Sequence, residues 1–200
     1  MGRYTGPKRR LSRREGVALF PKDIKVIERK GAVHPGMRGT KVRPRTSEFG
    51  AQLREKQKAK RLYGLSERQF HKTFTEAAKK KGATGQTLLE LLETRLDNIV
   101  YRLGFANSRP QARQLVSHGH ISVEGKKVNI PSFRVSPNSV VAIVPKFVDN
   151  TQVKKTLAEK QALPEWLERK ATVGKVVRIP LREEMEEIVN EQLIVEYYSR

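Results

Sequence analysis

The sequence predicts an α+β protein, because signals for several helices precede a segment with the alternating pattern of strands. Three helical segments begin with a capping box, a serine or threonine followed three residues later by Glu or Gln, and end at glycines. After Gly119 the apolar residues alternate with polar ones, which is typical of half-buried strands. Residues 1–45, before these elements, are basic and lack clear periodicity.

The charge of the chain indicates a polyanionic partner. Its 200 residues include 41 Lys and Arg but 21 Asp and Glu, a formal net charge of +20. Nucleic acid is the partner favoured for so basic a chain, which repels itself when alone. An anionic membrane is a weaker alternative, because we find no basic amphipathic helix with a wide apolar face and no apolar run near the ~20 residues of a membrane span. The absence of cysteine excludes disulfides and thiolate metal sites.

Residues 1–45 form the basic arm, which we expect to be extended. The arm holds 14 Lys or Arg against 3 acidic residues, more than half of the excess charge. A disordered tail is the alternative. Apolar residues along the arm favour instead an arm that is ordered by RNA: Tyr4, Leu11, Val17, Leu19 and Phe20.

Two helices are predicted to follow the arm. The first begins at about Ser47 and ends at Gly64, since glycine supplies the left-handed residue common at helix ends. The second begins with the capping box of residues 66–69 and ends at Gly82. Its buried face is predicted from apolar residues at every fourth position: Phe70, Phe74 and Ala78.

Residues 88–144 are predicted to form a compact unit of helix, helix, hairpin and strand. A capping box at residues 87–90 opens a long helix that ends at Gly104, with a core stripe of Leu88, Leu92, Leu96, Ile99 and Leu103. Another box at residues 108–111 opens a short helix that ends at Gly119. The predicted hairpin has Ile121 and Val123 on one strand and Val128 and Ile130 on the other, and residues 140–144 form a buried strand.

The residues from 151 onward are predicted to form both helices and a strand. We expect a modest helix over 151–163, Trp166 and Leu167 in the core, and a strand near residues 175–179. A helix is predicted after Pro180, through "REEMEEIVN", because acidic residues gather near its N-terminal end. The apolar ending "LIVEYY" is expected to be docked rather than free.

The short helix and the hairpin are expected to carry a basic ridge suited to phosphate groups. Arg109 and Arg113 lie four residues apart on one helix face, and Arg102 comes from the preceding helix. Guanidinium groups donate to pairs of phosphate oxygens, and lysines act as point charges. The ridge is completed by polar residues at the helix end and at the hairpin tip: Gln114, Ser117, His118, His120, Lys126 and Lys127.

The sequence supports an enzyme or a metal site less well than it supports binding to RNA. His118 and His120 lie two residues apart, but a metal needs further ligands, and neither a cysteine nor a suitably spaced carboxylate is present. The two histidines are expected either to donate hydrogen bonds to phosphate or to pack at the joint between helix and sheet. We find no nucleophile elbow or phosphate-cradling glycine loop.

One short element resembles an enzyme motif. "RLDN", residues 95–98, is similar to the segment around the catalytic aspartate of pseudouridine synthases. The leucines around Asp97 recur at helical spacing, so we expect a structural residue in the middle of a helix, paired with a nearby arginine.

Longer motifs resemble a known family. "LDNIVYRLGFANSRPQARQLVSHGHISVEGKKVNIPS" resembles the RNA-binding module first defined in ribosomal protein S-four, which also occurs in some pseudouridine synthases, tyrosyl-tRNA synthetases and heat-shock proteins. "MGRYTGPKRRLSRREG", "QLREKQKAKRLYGLSERQF" and "VNEQLIVEYYSR" are similar to the S-four ribosomal protein family itself, of bacterial or organellar type.

The resemblance implies a domain organisation. It comprises the arm (1–45), a helical domain (46–87 and 180–200) and an inserted RNA-binding domain (88–179) whose core module is 88–144. The C-terminal segment then returns to the helical domain, which accounts for its apolar character.

The resemblance also implies a function. Family members are structural, non-enzymatic constituents of the small ribosomal subunit that bind a multi-helix junction in the 5′ domain of its RNA and start assembly. Ribosomal proteins S-five and S-three and the messenger RNA at the entry channel are the implied neighbours, and the S-five contact bears on decoding accuracy. The implied location is the cytoplasmic ribosome, with an organellar ribosome as the alternative. The alternative functions are a pseudouridine synthase type of RNA-modifying enzyme and a free RNA chaperone or regulator.

These expectations assign residues. The RNA contacts comprise the ridge together with cations of the arm and the first helix: Arg3, Lys8, Arg9, Arg10, Arg13, Arg14, Arg43, Arg45, Arg54, Lys56, Lys58 and Arg61. The expected interface with neighbouring proteins consists of Glu191, Gln192, Glu196 and Tyr197.

Many bacterial members hold zinc with four cysteines in the arm, whereas this chain has none, and Arg9 and Ser12 stand in that segment. We therefore expect no zinc, no other cofactor, no catalytic residue and no small-molecule substrate.

Overall fold

A computed structural model describes residues 4–30, 33–36, 46–148, 150–158 and 163–199. The predicted RNA contacts Arg3, Arg43 and Arg45 lie outside these residues. The fold is α+β, as predicted, and the chain divides into two compact units. The first unit comprises residues up to 88 and those from 186 onward, and the second is Leu89–Met185. Within the described residues no helix is both long and apolar enough to cross a membrane.

The basic arm is partly helical, which corrects the expectation of an extended chain. Helix α1 is Lys8–Glu15, a one-turn 3-10 helix covers Pro21–Asp23, and α2 is Ile24–Lys30. A buried hydrogen bond ties these elements together, because Oγ of Ser12 donates to Oδ2 of Asp23 over 2.5 Å. Short helices in so basic a segment are possible because contacts inside the protein hold them, a signal that periodicity alone does not carry.

Helix α3, Glu48–Leu62, begins as predicted. The side chain of Ser47 accepts a hydrogen bond from the Gly50 amide, so it caps the first turn. The C-terminal helix α10, Glu191–Tyr198, lies against α3 and buries Ile194 completely, which confirms that the apolar ending is docked. The predicted helix after Pro180 is wrong: residues Arg182–Glu184 form one 3-10 turn, and α10 begins only after Asn190, whose side chain caps it.

Helix α4, Glu67–Lys79, is capped by Ser66 as predicted. Phe70 is fully buried and Phe74 is half-buried, but Ala78 is exposed, and Ala77 takes the predicted buried position. The buried positions therefore do not follow a strict four-residue repeat. A helix has 3.6 residues per turn, so the buried face shifts from position 78 to position 77.

The long helix predicted from residue 87 is two helices. Helix α5 is Thr84–Glu93 and α6 is Leu96–Arg102. Arg95 between them has an extended backbone and pairs with Arg134 in an isolated bridge, while the Leu96 amide donates to the Phe133 carbonyl. All five residues of the predicted core stripe are nonetheless fully buried.

Helix α7, Arg109–Ser117, differs from the prediction in its cap. The side chain of Ser108 makes no capping hydrogen bond. The side chain of Gln111 accepts from the Asn107 amide instead, one residue earlier than a capping box requires. Pro110 in the first turn supports the helix start without a serine cap.

The second unit contains a five-stranded antiparallel sheet in the order β2-β1-β3-β5-β4. Its strands are β1 (Ile121–Val123), β2 (Lys126–Lys127), β3 (Val140–Ile143), β4 (Leu167–Lys170) and β5 (Val173–Val176). Strand β2 ends before Val128, so Val128 and Ile130 are not strand residues as predicted, and Ile130 is 55% exposed. The predicted strand at 175–179 lies two residues too late, and β4 was not predicted.

The core of this unit forms between helices α6 and α7 and one face of the sheet. Trp166 and Leu167 are buried in it, as predicted, with Phe105, Val116 and Ile121. Two further helices follow β3: α8 is Pro145–Val148 and α9 is Thr151–Ala158. Residues 159–162 of the predicted helix 151–163 lie outside the described residues.

Candidate nucleic-acid interface

The exposed part of the predicted ridge lies where α7 meets the β1–β2 hairpin. Gln114, Ser117 and His118 are exposed at the end of α7, and Lys126 and Lys127 are exposed on β2. The side chain of Lys127 lies over Gly119, where a Cβ atom would overlap Cε of the lysine. We call these five residues the module edge.

Gly119 is needed for this arrangement. Its φ of 69° is in the left-handed region, which L side chains rarely adopt. Its amide donates to the Val116 carbonyl, and only three residues separate the end of α7 at Ser117 from the start of β1 at Ile121. The glycine therefore brings the helix end and the hairpin together.

The two histidines have different surroundings. The ring of His120 is half-buried and stacks on Phe147, with centroids 3.7 Å apart and planes 11° apart. Burial lowers the pKa of His120, and the nearby His118 and Lys127 lower it further. The His118 ring is exposed and meets His120 edge-on at 6.0 Å. His120 is thus a packing residue at the joint, and His118 is the one that faces solvent.

A metal site is not supported by this geometry. Among the residues that the structure describes, no group of three or more His, Cys, Asp or Glu is arranged to hold a metal ion.

The arginines of the ridge are held by buried polar groups. The carboxylate of Glu93, whose side chain is fully buried, accepts two hydrogen bonds from Arg102, at 2.8 and 3.1 Å. The same carboxylate accepts from Nδ2 of Asn98 over 2.6 Å. Oδ1 of Asn98 then accepts from Nε of Arg109 over 2.8 Å. One buried acid therefore orients Arg102 directly and Arg109 through an amide.

Arg109 is held on a second side by an aromatic ring. Its guanidinium carbon lies 4.7 Å from the centroid of Tyr101. A guanidinium that is both stacked and hydrogen-bonded at Nε keeps a defined orientation, which suits recognition of a fixed phosphate position.

Asp97 is a structural residue that pairs with arginine, as predicted. It accepts two hydrogen bonds from Arg95, at 3.0 and 2.8 Å, and lies 3.5 Å from Nη1 of Arg113. Its position is the first turn of α6 rather than the middle of a helix, because the chain breaks at Arg95. A carboxylate enclosed by two arginines and 5% exposed cannot readily reach a substrate.

The cations of α3 are used within the first unit, which corrects the expectation that they all face RNA. Lys56 is buried, donates to Glu67 over 2.7 Å and lies 4.4 Å from the Tyr197 ring centroid. Lys58 pairs with Glu55 and donates to the Ile188 carbonyl over 3.2 Å. Lys56 is therefore a packing residue.

Glu15, at the end of α1, gathers two further cations. Its side chain is fully buried and accepts from Arg54 over 3.3 Å and from Arg61. Burial raises the pKa of Glu15, against the opposing effect of Arg61 and Arg54. Burial likewise lowers the pKa of Arg61, against the attraction of Glu15. The two arginines thus hold α1 on α3.

The arm presents several exposed cations on α1. Lys8, Arg9, Arg10 and Arg14 are exposed, and Arg9 lies 3.7 Å from Asp23. Arg13 differs, because it is half-buried and donates to the carbonyls of Val33 and His34, at 2.7 and 3.2 Å. Its role is to hold two segments of the arm together.

The predicted protein interface is partly internal. Glu196 accepts from Gln52 over 3.1 Å, and the Tyr197 ring stacks on Phe49 with centroids 5.6 Å apart. Glu191 packs over Gly85, which leaves Gln192 as the exposed member of the four. Glu196 and Tyr197 therefore serve packing inside the first unit.

Sequence reasoning missed a row of cations on α4. Arg68, Lys72 and Lys79 are exposed, as are Lys80 and Lys81 directly after the helix. Their spacing of four and seven residues, which places the first three on one helix face, is the signal in the sequence that could have revealed them.

Comparison with known proteins agrees with this architecture. Residues 3–93 match the family described as Ribosomal protein S4/S9 N-terminal domain, and residues 94–141 match the S4 domain. The chain is 53% identical to the small ribosomal subunit protein uS4 of Natranaerobius thermophilus, 52% to that of Dictyoglomus turgidum and 51% to that of Akkermansia muciniphila. Each alignment covers 100% of both chains.

The α+β fold and its cationic surface define a ribosomal RNA-binding protein. The chain belongs to the uS4 family of small-subunit ribosomal proteins.

Proposed function

We propose that the protein is a structural, non-enzymatic component of the small ribosomal subunit that binds ribosomal RNA. The observation that carries this proposal is the module edge, where the side chain of Lys127 lies over Gly119, the residue that follows the exposed His118. Among the described residues, Lys126 and Lys127 make no ion pair, whereas Arg102 and Arg113 are paired with buried acids. Such a surface offers donors and charge to phosphates but little that reads bases.

The arginines and the exposed lysines of the second unit contribute to RNA binding in different ways. Arg102, Arg109 and Arg113 are held in fixed orientations by Glu93, Asn98 and Asp97. Buried acids offset part of the arginine charge, so these groups supply geometry more than net attraction. The exposed lysines supply the long-range attraction, which makes association depend steeply on salt.

The finer assignment rests on family membership. We propose that the RNA target is a multi-helix junction in the 5′ domain, and that binding starts subunit assembly. Ribosomal proteins S-five and S-three, with messenger RNA at the entry channel, are the proposed neighbours, and the S-five contact influences decoding accuracy. The cytoplasmic ribosome is the proposed location, and the bacterial origin of the relatives supports it.

The domain division is part of this proposal. It comprises the arm (1–45), a helical domain (46–87 with 180–200) and an inserted RNA-binding domain (88–179). Support comes from the two compact units, of which the first combines both ends of the chain.

The test compares RNA binding and subunit association. The wild type should sediment with small ribosomal subunits and bind small-subunit RNA. Lys126→Ala/Lys127→Ala should weaken binding and lower the log–log salt slope by about 1.5, since each neutralised phosphate contributes roughly 0.7 to 0.9. Lys170→Ala/Lys175→Ala removes the same charge from exposed residues of β4 and β5 and serves as the control. A wild type that never sediments with the subunits would refute the proposal.

The enzyme alternative is not retained. Asp97 is enclosed by Arg95 and Arg113, and membership of a non-enzymatic ribosomal family gives it no support.

A further inference from the structure

The sheet of the second unit has one face that is turned away from its helical core. Successive side chains of a strand point to opposite faces, and the core side is marked by the buried Val141, Ile143 and Val176. Gly174 lies on the core side too, because a Cβ atom there would overlap the Leu103 side chain of α6. The strand residues that alternate with these four therefore share the other face, which we call the open sheet face.

The open sheet face consists of two rows of side chains that cross the strands. The pairing of the strands aligns each row, the first being Ser122, Ala142, Val173 and Lys170 and the second Val140, Lys175 and Glu168. Neighbouring strands lie about 4.8 Å apart, so the first row is ~14 Å long. Val173 is 42% exposed, and the two lysines and the glutamate are exposed as well. The rows thus form a flat surface that a partner can reach.

The middle of the open sheet face is apolar. Val140, Ala142 and Val173 lie side by side on β3 and β5, whereas the solvent face of an antiparallel sheet usually carries polar residues. The hydroxyl of Ser122 is used within the sheet, since it donates to the Ala142 carbonyl over 3.3 Å. The centre of this face therefore offers apolar contact rather than a hydrogen-bond donor to a phosphate.

The charges around the apolar middle have both signs. Lys170 and Lys175 are exposed next to Glu168, and on the β1 side the carboxylate of Glu124 accepts from the Val140 amide over 2.6 Å. Acidic groups on both sides repel an RNA backbone, and the net charge of +20 disfavours a second copy of this chain. Another protein, with an apolar face and complementary charges, matches this surface best, because opposite charges across an interface fix its orientation.

We propose that the open sheet face docks an amphipathic helix of another protein of the small ribosomal subunit. The apolar stripe of that helix covers Ala142 and Val173, and acidic residues at one of its ends meet Lys170 and Lys175. A row of ~14 Å corresponds to about nine residues of helix, so roughly two to three turns cover it. The inference rests on the proposed function in placing the protein in the small subunit, but RNA is not the ligand of this face.

The first experiment uses the absence of cysteine from the chain, so that one introduced thiol reports on one position. Val173→Cys and Glu168→Cys place a thiol in each row, and Ser136→Cys, in an exposed turn between β2 and β3, is the control. Each full-length variant is incorporated into small subunits, and its rate of reaction with a maleimide is compared with that of the free protein. We expect the thiols of the two rows to react about tenfold or more slowly in the subunit, and to be protected more than the control thiol.

The second experiment identifies the occupant. A benzophenone maleimide is attached to the thiol of Val173→Cys, and irradiated subunits should yield an adduct with another protein. The cross-linked peptide should carry apolar residues at helical spacing and acidic residues at one end. Adding Lys170→Glu/Lys175→Glu should lower the adduct yield about fivefold or more, whereas Lys146→Glu/Lys155→Glu, at exposed positions of α8 and α9, should leave it unchanged.

The outcomes separate this inference from the proposed function. A wild type that never sediments with small subunits removes both. Subunits that contain the variants and leave the thiols of both rows as reactive as in the free protein overturn the inference alone. An adduct with RNA, an adduct with a second copy of this chain, or protection without a protein adduct overturns it as well, and so does a yield that the reversal of Lys170 and Lys175 does not change.

Discussion

Oδ1 of Asn98 accepts a hydrogen bond of 2.8 Å from Nε of Arg109, while Nδ2 of the same amide donates to the buried carboxylate of Glu93 over 2.6 Å. A carboxylate can only accept here, so it fixes which end of the amide faces it. The other end must then be the oxygen, which is the group that Arg109 requires. The identity of a buried acid thus sets the orientation of a cation on the proposed RNA surface.

Changing Asn98 to Ala is expected to weaken RNA binding and stability together. Asn98 is 2% exposed, and its loss leaves Glu93 without one of its donors, which should cost about 1–3 kcal/mol of unfolding free energy. Urea unfolding measures the first effect and RNA titration the second. A double-mutant cycle with Arg109→Ala supplies the control. The two changes should be non-additive in RNA affinity, and strict additivity would show that Asn98 does not act through Arg109.

Asp97→Ala should destabilise the second unit strongly. The change leaves the buried Arg95 without its carboxylate and removes the acid nearest Arg113, a loss of about 3–5 kcal/mol by analogy with other broken buried ion pairs. Urea unfolding checks this value, and Glu168→Gln, at an exposed position on β4, is the control. A fully stable Asp97→Ala protein would contradict the structural role.

Gly119→Ala and Gly125→Ala form a matched pair. Both glycines have positive φ, 69° and 73°, so each substitution should cost about 1–2 kcal/mol through backbone strain. Only at Gly119 does the new Cβ overlap a side chain, that of Lys127; nothing lies within 4 Å of the corresponding position at Gly125. We expect similar losses in urea unfolding but weaker RNA binding for Gly119→Ala alone. Equal RNA affinities for the two variants would argue against a role for the Lys127 position.

The stability of the first unit should depend on the charge of Glu67. Burial on its own would raise the pKa of Glu67, but hydrogen bonds from Lys56 and Lys60 outweigh it and lower this pKa from 4.5 to about 2. A depressed carboxyl pKa contributes stability that is fully present above the unfolded value and is lost as pH falls through the folded value. The unfolding free energies of wild type and Glu67→Gln should therefore differ most above pH 4.5 and converge toward pH 2. A difference that stays constant over this range would mean that the ion pairs do not contribute; Glu168→Gln again controls for the loss of one charge.

The elements that follow local rules could be predicted from the sequence, and those set by distant contacts could not. Ser47 and Ser66 cap their helices as their spacing indicates, and the leucine stripe from Leu88 to Leu103 is fully buried. The break at Arg95 depends on an isolated bridge to Arg134, nearly forty residues away in the sequence. The helical periodicity carries no sign of this contact, so it predicted one continuous helix. Likewise, Ser108 begins a capping motif, but its side chain makes no capping hydrogen bond, and the side chain of Gln111 accepts from the Asn107 amide rather than from the Ser108 amide.

The candidate site shows the same limit. The exposed members, Lys126 and Lys127, follow from a turn signal and their charge. The internal use of Lys56, Arg54 and Arg61 does not, because Glu15 and Glu67 reach them only after the helices pack. Charge alone therefore overstates how many basic residues are available to RNA.

Ser12 provides the last prediction, since its side chain is fully buried where α1 meets the chain that follows. Its buried hydroxyl donates to Asp23 over 2.5 Å and accepts from the Leu19 amide over 3.3 Å, so it joins α1 to the chain that follows. Ser12→Ala leaves both partners without their hydrogen bond and should cost about 1–3 kcal/mol locally. Hydrogen exchange should then show faster exchange of the α1 and 19–23 amides, with α7 unchanged. Ser132→Ala, at an exposed loop position, should change neither region. Unchanged exchange in α1 would mean that other contacts, such as Glu15 with Arg54 and Arg61, suffice to order the arm.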